Sequence, residues 1–184
     1  MIRSYRYTGP QHIAQAVAGH PEGHPIRSVA DFERWRHHTH QQTNRWGLIE
    51  ATFVITEEGV LCLADRHSEH VACAGGKAVR SAGEMFFAYG KDGWEVSAVS
   101  NQSTGYCPEP ESWRAVAAAL EQIPLPHPGT FTQMYLFRRC PDCHQLNLIK
   151  EQVFVCALCG VELPNEWNCE AGEEIGTPDE GSAE

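Results

Sequence analysis

Hydrophobic and polar positions along the chain fall into short periods separated by turn residues. Ile2 to Tyr7 reads as a possible strand, followed by a stretch rich in Gly, Pro and His up to residue 27. Val29, Phe32 and Trp35 recur at helical spacing behind Ser28, which has the character of an N-cap with Asp31 three residues on; the helix is expected to run to about Gln42. Glu50 to Thr56, centred on Phe53, Val54 and Ile55, reads as a strand. The turn Glu57-Glu58-Gly59 returns it through Val60 to Ala64 as a hairpin. Gly83 to Tyr89 forms a further strand, and Lys91-Asp92-Gly93 turns it into the alternating run Trp94 to Val99. A second helix is expected from Pro108-Glu109-Pro110-Glu111-Ser112 through Trp113, Val116, Ala117, Leu120 and Ile123, its first-turn acids suited to the helix dipole. Pro124, Pro126, Pro128 and Gly129 close that helix, and Phe131 to Phe137 reads as a last strand before a cysteine-rich segment.

This order predicts an α+β fold: a small antiparallel sheet with one or two helices over residues 1–128, followed by a four-cysteine zinc ribbon over 129–169. An acidic, small-residue tail over 170–184 is expected to be disordered. At 184 residues with 42% hydrophobic and 21% charged, the chain can bury a core without disulfides. No apolar run approaches the length of a membrane span, and the N-terminus lacks the apolar stretch of a signal peptide, so a cytoplasmic protein is expected.

Charge narrows the partners. The chain has 24 acidic and 14 basic residues, a formal net charge of -10. Six of the acids lie at Glu170, Glu173, Glu174, Asp179, Glu180 and Glu184. Phosphate contacts dominate nucleic-acid affinity, so an acidic chain whose ribbon segment is not basic is a poor nucleic-acid binder. A protein partner is expected, and a small-molecule ligand is a second option.

The cysteines carry the strongest chemical signal. Cys140-Pro141-Asp142-Cys143 and Cys156-Ala157-Leu158-Cys159-Gly160 are two C-x-x-C pairs with twelve residues between them. Each pair forms a knuckle that aims two thiolates at one point, and Gly160 follows the second where a positive φ is commonly needed. The expected connection is a hairpin of Leu146–Ile149 with Val153–Val155, turning near Lys150-Glu151-Gln152. Four thiolates close a tetrahedron around zinc and leave no open position, so the site is structural. Trp167 is expected to cover the ribbon's apolar face. His144, next to a knuckle, reads as exposed, and Cys169 lies beyond the ribbon as a leftover thiol.

The middle segment is polar at predicted strand ends: Asp65-Arg66-His67-Ser68-Glu69-His70-Val71-Ala72-Cys73-Ala74-Gly75-Gly76, and later Ser100-Asn101-Gln102-Ser103-Thr104-Gly105-Tyr106-Cys107-Pro108. His67-Ser68, Gly75-Gly76, Ala82-Gly83-Glu84 and Ser103 to Pro108 together resemble a module of plant IQ-motif calmodulin-binding proteins and related bacterial proteins, over about a quarter of the chain. Thr104-Gly105 stands where that module has Gly-His, and the IQ motif is absent. The chain as a whole also resembles uncharacterised bacterial proteins that end in a zinc ribbon. The resemblance implies a fold module rather than an activity.

Several roles for these residues stay open. His67, His70 and Cys73, three apart in turn, could gather a second metal if helical. Cys107 could be a nucleophile with His67 or His70 as its base. Glu84 and Tyr106 complete the set of candidate catalytic residues. Asp65, Arg66 and His67 could instead anchor their loop, and Ser100 to Thr104 could form ordinary Asx and Ser/Thr turns. The dense N-terminal histidines His12, His20, His24, His37, His38 and His40 read as a solvated face, while Cys62 and Cys73 read as packing residues. The leading functional reading is a binding or adaptor protein with a structural zinc and a polar recognition loop in its first domain. The alternative is an enzyme using His67 or His70 with Cys107 or Glu84 on a small polar or nucleotide-like ligand, or on a modified protein.

Overall fold

The computed structural model describes residues 3–39 and 43–170. The expectations for Ile2, for the helix beyond His40 and for the acidic tail from 171 fall outside those residues. Five strands form one antiparallel sheet: β1 (His24–Ile26), β2 (Ile49–Thr56), β3 (Leu61–Asp65), β4 (Val79–Gly90) and β5 (Gly93–Ser100), in the order β1-β3-β2-β4-β5. The two predicted hairpins are present, β2 with β3 and β4 with β5. The central pairing of β2 with β4 sets Phe53 opposite Gly83.

Each face of the sheet is buried, which explains why β2 reads as a continuous apolar run and not an alternating one. On one face, α2 (Val29–His38) and α4 (Trp113–Leu120) cover Phe53, Ile55, Leu63, Met85 and Phe87. Ser28 caps α2 as its sequence implies, accepting from the Asp31 amide at 3.2 Å, while Arg27 N–H and Ser28 Oγ–H hold the Asp31 carboxyl below its ordinary pKa. The helix buries Phe32 and Trp35 against Phe87 and Trp94. Full burial of Phe32 alone contributes about 2–3 kcal/mol. On the other face, Tyr5, Val54, Cys62, Val79, Ala82 and Tyr106 form a second core. It is covered by α1 (Gln11–Val17) and α3 (His70–Cys73).

Several elements differ from the sequence expectation. The first strand shrinks to a bridge between Tyr5 and Val79. Helix α1 was not expected: none of its residues is fully buried, so its apolar stripe is weak, and tertiary contact decides it. Gly76 makes that contact possible, because a Cβ there would come within 2.9 Å of the Ala14 carbonyl oxygen. The second helix runs only from Trp113 to Leu120 behind a 3-10 turn at Pro110–Ser112. The strand expected from Phe131 is β6 (Leu136–Arg139); residues 131–133 instead lie beside the end of β5, with Thr132 N–H donating to Val99 O at 2.8 Å and Phe131 buried in the main core. No helix among the described residues is long and apolar enough to cross a membrane.

Candidate metal centre

The sulfurs of Cys140, Cys143, Cys156 and Cys159 all lie within 4.8 Å of one another. Cys140 and Cys159 approach to 3.5 Å, as do Cys143 and Cys156. Sulfurs bonded to a zinc ion at about 2.3 Å in a tetrahedron sit about 3.8 Å apart, so the donor set and its spacing fit a four-thiolate metal site.

Two equivalent backbone knuckles build it. In the first, His144 N–H donates to Cys140 O at 3.1 Å and Cys140 N–H donates to Gln145 O at 2.9 Å. In the second, Gly160 N–H donates to Cys156 O at 2.9 Å and Cys156 N–H donates to Val161 O at 2.8 Å. The residue after the second cysteine takes a left-handed backbone in both, φ 58° at His144 and 76° at Gly160. Glycine does this freely; histidine does so at a cost of about 1 kcal/mol. His144 is exposed and is not in the sulfur cluster.

The strand pairing differs from the predicted hairpin. β7 (Leu146–Ile149) pairs with β6, Leu136 opposite Ile149 and Arg139 opposite Leu146, so the first knuckle is the tip of a hairpin formed with the preceding strand. Residues 153–155 contribute only single bridges, Lys150 with Val153 and Val155 with Glu162. The second knuckle is thereby closed by its own flanks. The physical reason is local: each knuckle reverses the chain, so the nearest antiparallel partner lies just across it.

Asn147 is the residue at the cysteine cluster that motif reading missed. It is 7% exposed, and its amide donates to Gln145 O at 2.8 Å and to Cys156 Sγ at 3.5 Å. Its Oδ1 accepts from Ala157 N–H at 3.0 Å, tying the two knuckles together. The only signal in the sequence was a polar residue in an otherwise apolar strand. Amides also converge on Cys156: the Cys159 N–H, then the Leu158 N–H, then Asn147 and Cys143 draw its thiol down to about 6. The Gln145 amide favours ionisation of Cys143, yet desolvation and its sulfur neighbours push it up to about 12. A small apolar layer of Leu136, Ile149, Phe154, Val161 and Leu163 packs beneath the sulfurs.

The ribbon is fastened to the sheet domain at one seam. Arg138, 3% exposed, donates to both Glu109 carboxylate oxygens at 2.8 and 3.2 Å, to Phe137 O at 2.7 Å and to Asn165 O at 2.8 and 3.2 Å. Trp167 covers part of the ribbon, packing in the cluster of Phe137 and Cys169 with Tyr135 and Leu146, and joins it to the sheet domain. Its ring packs edge-on to Tyr5 at 5.5 Å, beneath the Arg3 guanidinium, and its indole N–H donates to Cys107 O at 2.7 Å. Leu148, Val153, Val155 and Leu158 stay exposed on the ribbon.

The remaining candidates have separate surroundings. His67 and Glu84 are neighbours: Glu84 is half-buried, its pKa raised by desolvation and by Glu50, with Arg66 and His67 opposing. His70 is turned inward, its Nε2 donating to Gly83 O at 3.0 Å, and desolvation holds it neutral. Tyr106 is fully buried and donates to Lys77 O at 2.7 Å. Cys107 is fully buried against Phe137 and Cys169. Helix α3 begins at His70, so His67 lies outside it, and among the described residues the only group of ligands placed for a metal is the four-cysteine cluster. Loop 100–110 is not a free polar surface: Asn101 donates to Pro108 O and Tyr135 O and accepts from Tyr135 N–H. Of the N-terminal histidines, His24 and His38 meet in a cleft of about 390 Å³ with Arg27, Arg34 and Trp35, while His40 lies outside the described residues.

Comparison with known proteins returned no match to a family model, a curated protein or a solved structure. The residues that carry the sequence resemblance have a plain structural use here. Gly83 admits the Ser100 carbonyl, which would come within 1.9 Å of an added Cβ; Gly105 admits the Tyr7 ring; and Gly76 admits α1.

Proposed function

We propose that the protein is a cytoplasmic binding or adaptor protein whose C-terminal ribbon holds one structural zinc ion and presents the surface read by a protein partner. The observation that carries this reading is the closed donor set: four thiols within 4.8 Å of one another and no other candidate ligand among the described residues in that cluster. Bound there, zinc would crosslink two knuckles whose own apolar layer is too small to hold them. Cys140, Cys143, Cys156 and Cys159 would be its ligands, and Asn147 would orient Cys156. The exposed Leu148, Val153, Val155 and Leu158 support the ribbon as the docking side. The acidic balance favours a protein over a nucleic acid. The buried, backbone-bonded states of His70, Tyr106 and Cys107 support binding over catalysis.

The test is the metal content of untagged protein purified without added metal, by elemental mass spectrometry. One zinc per chain is expected, removable by a strong chelator with loss of protease resistance beyond Phe131 and not before it. Iron in place of zinc, or no metal at all, would sink the reading.

A further inference from the structure

Outside the metal cluster four cysteines remain, and they form two neighbouring pairs. Cys62 and Cys73 sit in the second core, with the Cys73 thiol donating to Cys62 O at 3.8 Å. Cys107 and Cys169 sit together with Phe137, each fully buried, and the Cys107 thiol donates to Thr104 O at 3.2 Å. The second pair joins two parts of the molecule: the loop that follows β5 and the segment that closes the ribbon.

The surroundings distinguish the pairs. Burial pushes the Cys62 thiol up to about 11 and Cys73 further up, which keeps both as inert thiols. Cys169 is drawn the other way. The neighbouring Cys107 side chain, then Arg139 and Arg138, favour its ionised form and outweigh desolvation and the Glu109 carboxylate. Cys107 correspondingly keeps its proton. Cys169 is thus the more readily ionised of two neighbouring thiols, as an attacking thiol needs to be.

The backbone is also committed to this contact. Cys107 is one of only four non-glycine residues with a left-handed backbone among the described residues, at φ 48°. Its amide donates to Ser103 O at 2.7 Å and its carbonyl accepts from the Trp167 indole at 2.7 Å. Such a conformation is held only where its surroundings over-determine it. On the other side, Cys169 Sγ–H donates to Phe137 O at 3.3 Å, and Asn168 clasps Arg139, accepting from its amide at 2.9 Å and donating to its carbonyl at 2.7 Å.

We propose that Cys107 and Cys169 are a reversible crosslinking site, at which a low-molecular-weight disulfide of the glutathione class oxidises the pair and locks the ribbon onto the sheet domain. Cys169 releases its proton to solvent and its thiolate attacks one sulfur of the oxidant. That forms a mixed disulfide and expels the first thiolate. The expelled thiolate takes the Cys107 proton. The Cys107 sulfur then attacks Cys169, forming the protein disulfide and expelling the second thiolate, which is protonated from solvent. Two protein thiols lose two electrons, and one small disulfide becomes two small thiols. Both sulfurs are fully buried, so opening of the seam around Trp167 is the route by which the oxidant reaches them. The site stands independently of which metal the ribbon holds.

The experiment uses the full chain as purified. It is equilibrated with oxidised glutathione, its free thiols are alkylated under denaturing conditions, and its disulfides are mapped by peptide mass spectrometry. The expected product is a Cys107–Cys169 linked peptide, with Cys62, Cys73 and the four ribbon cysteines recovered as alkylated thiols. Excess reduced glutathione should reverse it. Amide exchange over residues 164–169 should slow at least tenfold in the crosslinked form. Recovery of Cys107 and Cys169 as thiols after the ribbon cysteines have begun to oxidise would overturn the proposal. So would a linkage confined to Cys62 and Cys73.

Discussion

Removing Glu109 tests how firmly the ribbon is held to the sheet. Arg138 and Glu109 form a pair whose side chains are 4% and 16% exposed, so the guanidinium is almost wholly out of water. In Glu109→Ala the cation stays buried, with only the carbonyls of Phe137 and Asn165 still facing it. Breaking one side of a buried pair costs about 3–5 kcal/mol. The remaining carbonyls and the partial exposure of Glu109 place this case at about 3 kcal/mol. For a chain of this length that lowers Tm by about 6–12 °C. Glu109→Gln keeps one neutral hydrogen bond and should fall between. The assay is thermal and urea unfolding of the metal-loaded chain, followed by tryptophan fluorescence. Trp167 reports on the seam itself, because its indole donates to Cys107, two residues before Glu109. A shift under about 2 °C for Glu109→Ala would refute the seam as a structural brace and leave the ribbon an independent appendage.

Other outcomes follow from single contacts. Asn147→Leu should weaken metal affinity about 10–100-fold in a chelator competition, because the tie between the knuckles and the donor to Cys156 are both lost. His144→Gly should strengthen the same affinity by up to about 1 kcal/mol, since glycine takes the left-handed position without strain; a weaker site would refute the equivalence of the knuckles. Gly83→Ala should abolish folding or cost more than about 3 kcal/mol, its methyl meeting the Ser100 carbonyl, whereas Gly129→Ala, with open space around it, should be near neutral in the same melt. Glu84→Gln should stabilise the protein at pH 7. The folded-state pKa of Glu84 is raised, so the folded chain holds more protons than the unfolded one above the ordinary value of 4.5, and ionising Glu84 lowers stability as pH rises through that window. The advantage of the variant should vanish below that pH in parallel denaturant titrations.

How much of this was legible beforehand depended on range. The Ser28 cap, the two hairpins and the two knuckles are set by residues a few positions apart, and each was readable from spacing and residue type alone. The four clustered cysteines belong to that class as well: two C-x-x-C turns orient their own sulfurs, and twelve residues are enough to bring them together. Contacts between distant segments were not readable. Leu146–Ile149 could pair with either neighbour by its pattern, and only the reversal at the first knuckle decides for β6. Helix α1 has too weak an apolar stripe to declare itself and exists against Gly76 and α3. Trp167 was an apolar residue expected on the ribbon, and that it would also reach Tyr5 depended on where the sheet domain lay. Cys107 and Cys169, far apart in the chain, looked like two unrelated thiols until the seam set them side by side. By itself the sequence determined the four-cysteine cluster, the fold class and the two hairpins of the sheet, because those rest on local geometry. The tertiary structure alone decided which polar residues are buried and satisfied and which cysteines face one another, because burial and long-range contact depend on every segment at once.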